Sequence, residues 1–354
     1  MKIPVEVGDL TPEWLTDALQ AHAPGAVVEA VSVLDTSSGT TGRARLGLTS
    51  SDERIPSRVF VKLPPFTPER RVMVNMVGMG VSEARFYEEI APWLPVRTPR
   101  ALHAAHDLED NGYIMIFEDL SLAGARQPTQ EEPDAFDFAS QVMGAMASFH
   151  AHMWMSPRLL SGGDLHWLAD RNRGGASEEG QAIMRMGLAA FGDQMPPVFH
   201  QMAEIYIDQN ARLSEVLFEG PYTLVHGDTH IGNMLRDEQG PILLDWAMVR
   251  QGPSLRDVAY FIANSIPHEV RQKHEEDLLR TYLAALAGHG IEIPWNEAWD
   301  SYRLQTVSGW IAASTTAALG DALQPLDVSM RATERSNLAL EELDVVPLLR
   351  KKLG

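Results

Sequence analysis

Short apolar runs broken by polar turns fill the first third of the chain, and longer runs with helical spacing fill most of the rest. Residues 27–35 (VVEAVSVLD) read as a strand, the polar, glycine-bearing turn Thr36 to Gly42 follows, and RARLGLTS from Arg43 returns as a second strand. After the hydrophilic turn around Ser51 to Pro56, RVFVKL alternates into a third strand that carries Lys62. Near the start, Thr11, Pro12 and Glu13 combine a capping hydroxyl, a proline in the first turn and an acid at the positive helix end. They predict a short helix through Ala21. Residues 80–91 (GVSEARFYEEIA) predict another, with Glu83 three residues before the pair Phe86 and Tyr87, and the proline-containing run 92–100 ends it. YIMIFEDL (113–120) is an apolar strand with two acids near its end, which places a domain boundary near 119.

A connector runs to about residue 135, and the period then changes. Residues 136–154 (FDFASQVMGAMASFHAHMW) put Phe138, Met143, Met146 and Phe149 on one broad helical face. Residues 156–180, rich in Gly, Arg and Asp, predict an irregular insertion, and 181–217 predict helices despite Pro196 and Pro197. Between 221 and 247 the short apolar runs PYTLVHGD and PILLDWA flank a small polar loop. Residues 256–288, 297–320 and 329–351 read as helical, and no internal repeat emerges.

Composition narrows the class. With 354 residues, 45% hydrophobic and 22% charged, the chain is globular, with enough length for two cores or for one large body with a cleft. Its 48 acidic against 29 basic residues give a formal net charge of -19, which argues against general nucleic-acid binding while leaving room for a local phosphate site. The acidic excess is spread evenly and marks no boundary. The absence of cysteine excludes disulfides, thiolate metal sites and a cysteine nucleophile. The start lacks a basic stretch followed by an apolar run, and no segment approaches a bilayer span, so the cytoplasm is the expected compartment.

The densest chemical signal is His226-Gly227-Asp228-Thr229-His230-Ile231-Gly232-Asn233, with Asp245 twelve residues after Asn233. Asp228, Asn233 and Asp245 offer oxygen ligands or proton acceptors from two loop edges, separated by a hairpin turning at DEQG (237–240). Hard oxygens suit magnesium, which takes few carboxylates and completes its shell with phosphate and water. His150, His152 and His230 form no recognised zinc template.

This signature resembles the phosphotransferase superfamily that includes aminoglycoside phosphotransferases, choline kinases and ecdysteroid kinase-like proteins. The resemblance implies a bilobal, protein-kinase-like α/β (α+β) fold. Residues 1–118 would form a nucleotide-binding lobe with a small antiparallel sheet and a helix. Residues 119–354 would form a larger, mainly helical catalytic and acceptor-binding lobe. It implies Asp228 as the base that receives the acceptor proton, and Asn233 and Asp245 as magnesium ligands beneath the phosphates of ATP. Lys62 would meet the inner phosphates, held by Glu83. The turn containing Ser38, Gly39 and Thr40 would cover the phosphates, and the segment from Phe117 through Glu118 to Leu120 would be the hinge that meets adenine. Asp257, in SLRDVAYF, would brace the catalytic loop; His226 would organise that loop, and His150 would be scaffold.

The chain also departs from protein kinases. The segment is Asp245-Trp246-Ala247, without the glycine of a switching loop, and no polypeptide-binding segment follows it, so the implied acceptor is a small-molecule hydroxyl. Within the superfamily, VHGDTHIGNML through LLDWAMVRQGPSLRDVAYF looks closer to the ecdysteroid kinase-like and related bacterial groups than to antibiotic kinases. The insertion at 156–180 and the helices between 264 and 325 are expected to build the acceptor pocket, with Trp295, Trp299 and Trp310 as candidate surfaces or core residues. A catalytically inactive nucleotide-binding or scaffold protein and a metal-dependent phosphohydrolase are the alternatives, and a homodimer is left open.

Overall fold

A computed structural model describes residues 1–130, 132–170, 177–322 and 324–354. In chain order the elements are α1 (Pro12–Ala18), β1 (Ala30–Ser38), β2 (Gly42–Thr49), β3 (Arg58–Leu63), α2 (Pro68–Val77), α3 (Met79–Arg85), β4 (Ala101–His106), β5 (Tyr113–Glu118), α4 (Ala135–His152), α5 (Trp167–Asp170), α6 (Glu178–Phe191), α7 (Pro197–Asp208) and α8 (Asn210–Leu217). There follow β6 (Tyr222–Val225), β7 (Met234–Asp237), β8 (Gly240–Leu243), β9 (Arg250–Pro253), α9 (Leu255–Ser265), α10 (His268–Gly288), α11 (Trp295–Ala318), α12 (Leu326–Glu342) and α13 (Val345–Leu353). They form two compact units, residues 1–127 with 235–249, and residues 128–234 with 250–354. The division expected at 118/119 falls inside the first unit, at the end of β5.

The first unit is built on an antiparallel sheet of order β1-β2-β3-β5-β4. The period-two pattern sorts its faces. Ala44, Leu46 and Leu48 of β2 and Val59, Val61 and Leu63 of β3 bury one face against Leu15, Leu19 and Ala23 from the α1 region. Lys62, lying between two of those core residues, therefore belongs to the opposite face, in register with Arg43 of β2 and Met115 of β5. Gly80 lets α3 press against β5, because a Cβ there would collide with the Tyr113 ring. Thr11 caps α1 as its sequence predicts, accepting a hydrogen bond from the Trp14 amide at 3.2 Å.

Several boundaries differ from expectation. β1 runs to Ser38, so the turn shrinks to residues 39–41. The helix expected at 80–91 is α-helical only through Arg85 and then widens into a π-helical segment, Phe86–Ile90. α2 and β4 were not expected. β4 follows directly on the proline run and is built from small residues and histidines, ALHAAH, which carry little alternation.

In the second unit α4 packs on α10, and α11 lies between α9 and α12. β6 and β9 form a short antiparallel ladder from Tyr222↔Pro253 to Val225↔Arg250. The loop after β6 ends in a 3-10 turn at Ile231–Asn233. Trp310 is fully buried and donates its indole N–H to Asn337 at 2.9 Å, so it is core. Trp295 and Trp299 stack at 5.6 Å and Trp299 on Tyr302 at 5.4 Å, with the Arg280 guanidinium 3.7 Å over Trp295. Of the expected insertion, residues 171–176 lie outside the described residues; its described part holds a 3-10 turn at Pro157–Leu159 and the short helix α5.

Candidate active site

In the first unit, the buried Lys62 ammonium donates to both carboxylate oxygens of Glu83, at 2.7 and 2.8 Å, and lies 3.4 Å from Asp245. Arg43 approaches the same Asp245 oxygen at 3.9 Å. One helix positions both acids. Glu83 projects from α3, while Phe86, one turn further on, stacks on Trp246 with ring centroids 4.0 Å apart and an interplanar angle of 7°. Trp246 is fully buried and fixes its neighbour Asp245, whose φ of 59° lies in the left-handed region. A non-glycine residue there is held by its surroundings against a backbone cost, a feature concentrated at functional sites. The Asp245 side chain keeps 24% exposure.

The electrostatics of this cluster follow from burial and charge. Burial alone would lower the Lys62 pKa, but the carboxylates of Asp245 and Glu83 outweigh it and hold the ammonium above its ordinary value. Glu83 is pushed up to about 7, because burial and the negative charge of Asp245 exceed the pull of Lys62.

In the second unit the loop His226 to Asn233 is organised from beneath by α9. Asp257, fully buried, accepts the backbone N–H of His226 at 2.6 Å and of Gly227 at 2.9 Å, and its carbonyl accepts the Thr229 hydroxyl at 2.7 Å. Ser265, at the other end of α9, accepts the Ile231 amide at 2.8 Å. His226 turns its Nδ1 onto the Asp228 amide at 3.2 Å, and Gly227 takes φ 85°. Burial pushes the Asp257 carboxyl up, but His150, His226 and the Gly227 amide outweigh it and keep it below the ordinary carboxylate range. His150 is anchored by Tyr282 at 3.0 Å on Nδ1 and by Asp257 at 3.2 Å on Nε2, so neither nitrogen is left for a metal.

Asp228 stands at the lip of this frame with 30% of its side chain exposed. Asn233 donates both amide hydrogens to it, at 2.9 Å to the carbonyl and 3.0 Å to Oδ2. That leaves the Asn233 Oδ1 as its acceptor end. Burial raises the Asp228 pKa, but His230, the Tyr260 hydroxyl and His226 together bring it down to about 2. Among the described residues no three His, Cys, Asp or Glu side chains converge into a metal cage. Asp245 in the first unit and Asn233 in the second each present a hard oxygen, a carboxylate and an amide carbonyl, of the kind magnesium accepts.

The remaining expected residues sit as follows. The Ser38 hydroxyl accepts the Phe66 amide at 3.1 Å, and the Gly39 amide donates to Thr41 at 3.0 Å, so both are engaged in ordering their own turn; Thr40 lies at its tip. Phe117 is buried against Tyr87 with centroids 4.6 Å apart, Glu118 pairs with Arg100 at 3.3 Å, and Leu120 opens a 3-10 turn capped by Asp119. Sequence reasoning missed Tyr260, Ser265, Arg43 and the Tyr282 anchor. Tyr260 could have been found as one α9 turn beyond Arg256, on the face adjoining Asp257; nothing local marks Tyr282, which lies 132 residues from its histidine.

Against known proteins, the model of the ecdysteroid kinase-like family matches residues 41–293. The chain belongs to the ecdysteroid kinase-like family, and its fold is the kinase-like fold of small-molecule phosphotransferases. A Ralstonia eutropha protein assigned as an aminoglycoside phosphotransferase is 16% identical with a TM-score of 0.57, over 94% of this chain and 98% of that one. A choline kinase of Cryptosporidium parvum is 11% identical with a TM-score of 0.56, over 97% and 99%. An aminoglycoside 2'-phosphotransferase-IIIa, solved as its GDP complex, is 10% identical with a TM-score of 0.50, over 92% and 98%. No curated protein matches the chain in sequence. Among the described residues no helix is long and apolar enough to cross a membrane.

Proposed function

We propose that the protein transfers the γ-phosphoryl group of ATP to a hydroxyl of a small molecule, with magnesium as cofactor. The observation that carries this reading is the Lys62 ammonium buried between Glu83 and Asp245. The ammonium is shared with Asp245, whose partly exposed carboxylate is where a divalent cation would be held. A purely structural pair would need no second carboxylate at 3.4 Å. The GDP complex of one fold neighbour supports a purine nucleotide as the donor.

In this reading Asp228 orients the acceptor hydroxyl and accepts its proton as the acceptor oxygen bonds to the γ-phosphorus and the bond to the β-phosphate oxygen breaks, releasing ADP. A carboxyl brought down to about 2 is ionised whenever the acceptor arrives, and it takes the proton late, which suits a loose transition state asking mainly for position and charge. Asn233 fixes the Asp228 carboxylate and offers Oδ1 to the metal; Asp245 is the second protein ligand, and Lys62 meets the inner phosphates. Magnesium, when bound, neutralises charge across the phosphates. The residues of the turn at Ser38 to Thr40 cover those phosphates, and the segment Phe117 to Leu120 meets the base.

The test is magnesium-dependent ADP formation across amino sugars, aminoglycosides, choline-like amines, sugars and sterol-like alcohols, with Asp228→Asn as the control. The expected outcome is acceptor-stimulated turnover that falls by about a thousandfold or more in the variant while nucleotide binding persists. Nucleotide binding with no stimulated turnover by any acceptor would replace this reading with that of a binding or scaffold protein. Equal turnover with and without acceptor would make it a phosphohydrolase.

A further inference from the structure

The face of the first unit's sheet that carries Lys62 holds a second cation, and its bonding is incomplete. Arg43 of β2 lies directly opposite Lys62 of β3, and partners across an antiparallel ladder project to the same face. The two side chains are committed differently. Lys62 is almost wholly buried, and two of its N–H groups go to Glu83 at 2.7 and 2.8 Å, leaving the remaining one toward Asp245 Oδ2 at 3.4 Å. Arg43 keeps 42% of its side chain exposed. Its Nε is 3.4 Å from the Thr41 hydroxyl, at the edge of hydrogen-bond range, and its Nη2 stands 3.9 Å from that same Asp245 oxygen, an ion pair without a hydrogen bond. The guanidinium is therefore the open cation of the cluster. The turn before it offers little in its place. Gly39 gives its amide to the Thr41 carbonyl at 3.0 Å, the Ser38 hydroxyl accepts the Phe66 amide at 3.1 Å, and the Ser38 carbonyl accepts Nη1 of Arg70 from α2 at 3.1 Å. A loop that cradles phosphate with its backbone needs free amides, and a short turn braced in this way leaves the charge to be supplied by a side chain.

We propose that Arg43 binds the phosphates of the nucleotide directly, an inference that rests on the phosphotransfer reading and names the residue that supplies most of its accessible positive charge at the phosphate end. A guanidinium presents paired N–H groups in one plane, a fork that fits two oxygens of a phosphate. Its position suits the task, because the acid it approaches, Asp245, is the carboxylate read as a magnesium ligand, and the strand register holds it beside Lys62. Little is given up in the exchange. At 3.9 Å between partly exposed groups the pair with Asp245 is weak, whereas hydrogen bonds from a guanidinium to phosphate are among the strong ones. Arg43 and Lys62 then divide the work: the buried ammonium is held mainly by Glu83 and keeps one N–H for an inner phosphate, and the exposed guanidinium makes the paired contact.

The test is calorimetric titration of the full chain with ATP, ADP and adenosine at saturating magnesium, comparing the parent with Arg43→Gln and Arg43→Lys. Arg43→Gln should weaken ATP and ADP by about ten- to a hundredfold, the range for one or two hydrogen bonds between charged groups, and leave adenosine unchanged. Arg43→Lys keeps the charge without the fork and should recover part of the loss. The side chain is exposed, so both variants should melt as cooperatively as the parent. Repeating the ATP titration at sub-saturating magnesium separates contact with phosphate from an effect passed through Asp245: the ratio between parent and Arg43→Gln should be the same at both. Equal ATP affinity in the parent and Arg43→Gln overturns the assignment and leaves the phosphotransfer reading standing. A ratio that falls to one as magnesium saturates, or an equal loss for adenosine, does the same. A parent that binds neither ATP nor GTP overturns the phosphotransfer reading, and this assignment with it.

Discussion

Lys62 and Glu83 show how one ion pair serves stability and chemistry differently. Both side chains are almost wholly buried, so removing one leaves the other charge unpaired in a poor solvent, a loss of about 3–5 kcal/mol. Lys62→Ala should therefore destabilise strongly, and with a definite pH dependence. Glu83 titrates at about 7 in the folded protein against 4.5 as an unperturbed group. Its raised value favours the fold fully below pH 4.5, and that advantage is lost as pH rises through 7. The Lys62→Ala penalty should thus be small at pH 5, where Glu83 is neutral anyway, and full by pH 8; urea melts at the two values check it, and a penalty larger at pH 5 would refute the assignment. The double variant Lys62→Met with Glu83→Leu should recover most of the stability and none of the nucleotide binding. Tyr260→Phe makes a smaller, complementary change. It removes a hydroxyl that helps hold the Asp228 carboxyl below its ordinary pKa, so kcat in the proposed reaction should fall by about tenfold while nucleotide affinity stays unchanged.

α9 holds the loop of Asp228 through both of its ends, with Asp257 under His226 and Gly227 and Ser265 under Ile231. In Asp257→Asn one oxygen becomes an amide donor facing an N–H donor or His150, so at least one hydrogen bond is replaced by a clash of donors. The expected cost is on the order of 3 kcal/mol. The folded pKa of Asp257 is depressed, so its contribution is fully present above the unperturbed value of 3.8 and is lost as pH falls through the folded value. The variant and the parent should differ equally at pH 7 and pH 5 and converge below about pH 4; equal separation at pH 3 would show that the carboxylate charge is not what α9 uses. This element also shows what a sequence can disclose. Asp228, Asn233 and Asp245 were legible because they lie close together in the chain with functional spacing. The strands carrying Lys62 were legible because one face is buried and the alternation survives. Tyr260 and Ser265 were not, because a polar residue on a helix looks the same whether it meets solvent or a loop folded over it. The π-helical widening at Phe86 was hidden for a related reason: the stack on Trp246 that accompanies it joins residues 160 positions apart.

The charge of the protein as a whole works against the substrate it is proposed to bind. A magnesium–ATP complex is an anion, and the protein carries a formal charge of -19, so the long-range field slows approach even though Lys62 and Arg43 are attractive at contact. Salt separates the two effects by distance. At about 10 mM ionic strength the screening length is about 30 Å and the whole acidic surface is felt; at about 150 mM it is about 8 Å and only groups near the bound phosphates count. The buried Lys62 is screened least, because ions cannot enter around it. Raising salt from about 20 to 150 mM should therefore increase kcat/KM for the nucleotide by about two- to fivefold while leaving kcat nearly constant. Charge reversal at exposed acids away from the site, for example Asp327→Lys together with Glu334→Lys, should reproduce part of that increase at low salt and flatten the dependence. Steady-state kinetics at fixed free magnesium across the salt series measures it. A monotonic fall in kcat/KM with salt would mean that local attraction governs encounter, and the acidic excess would then bear on solubility alone.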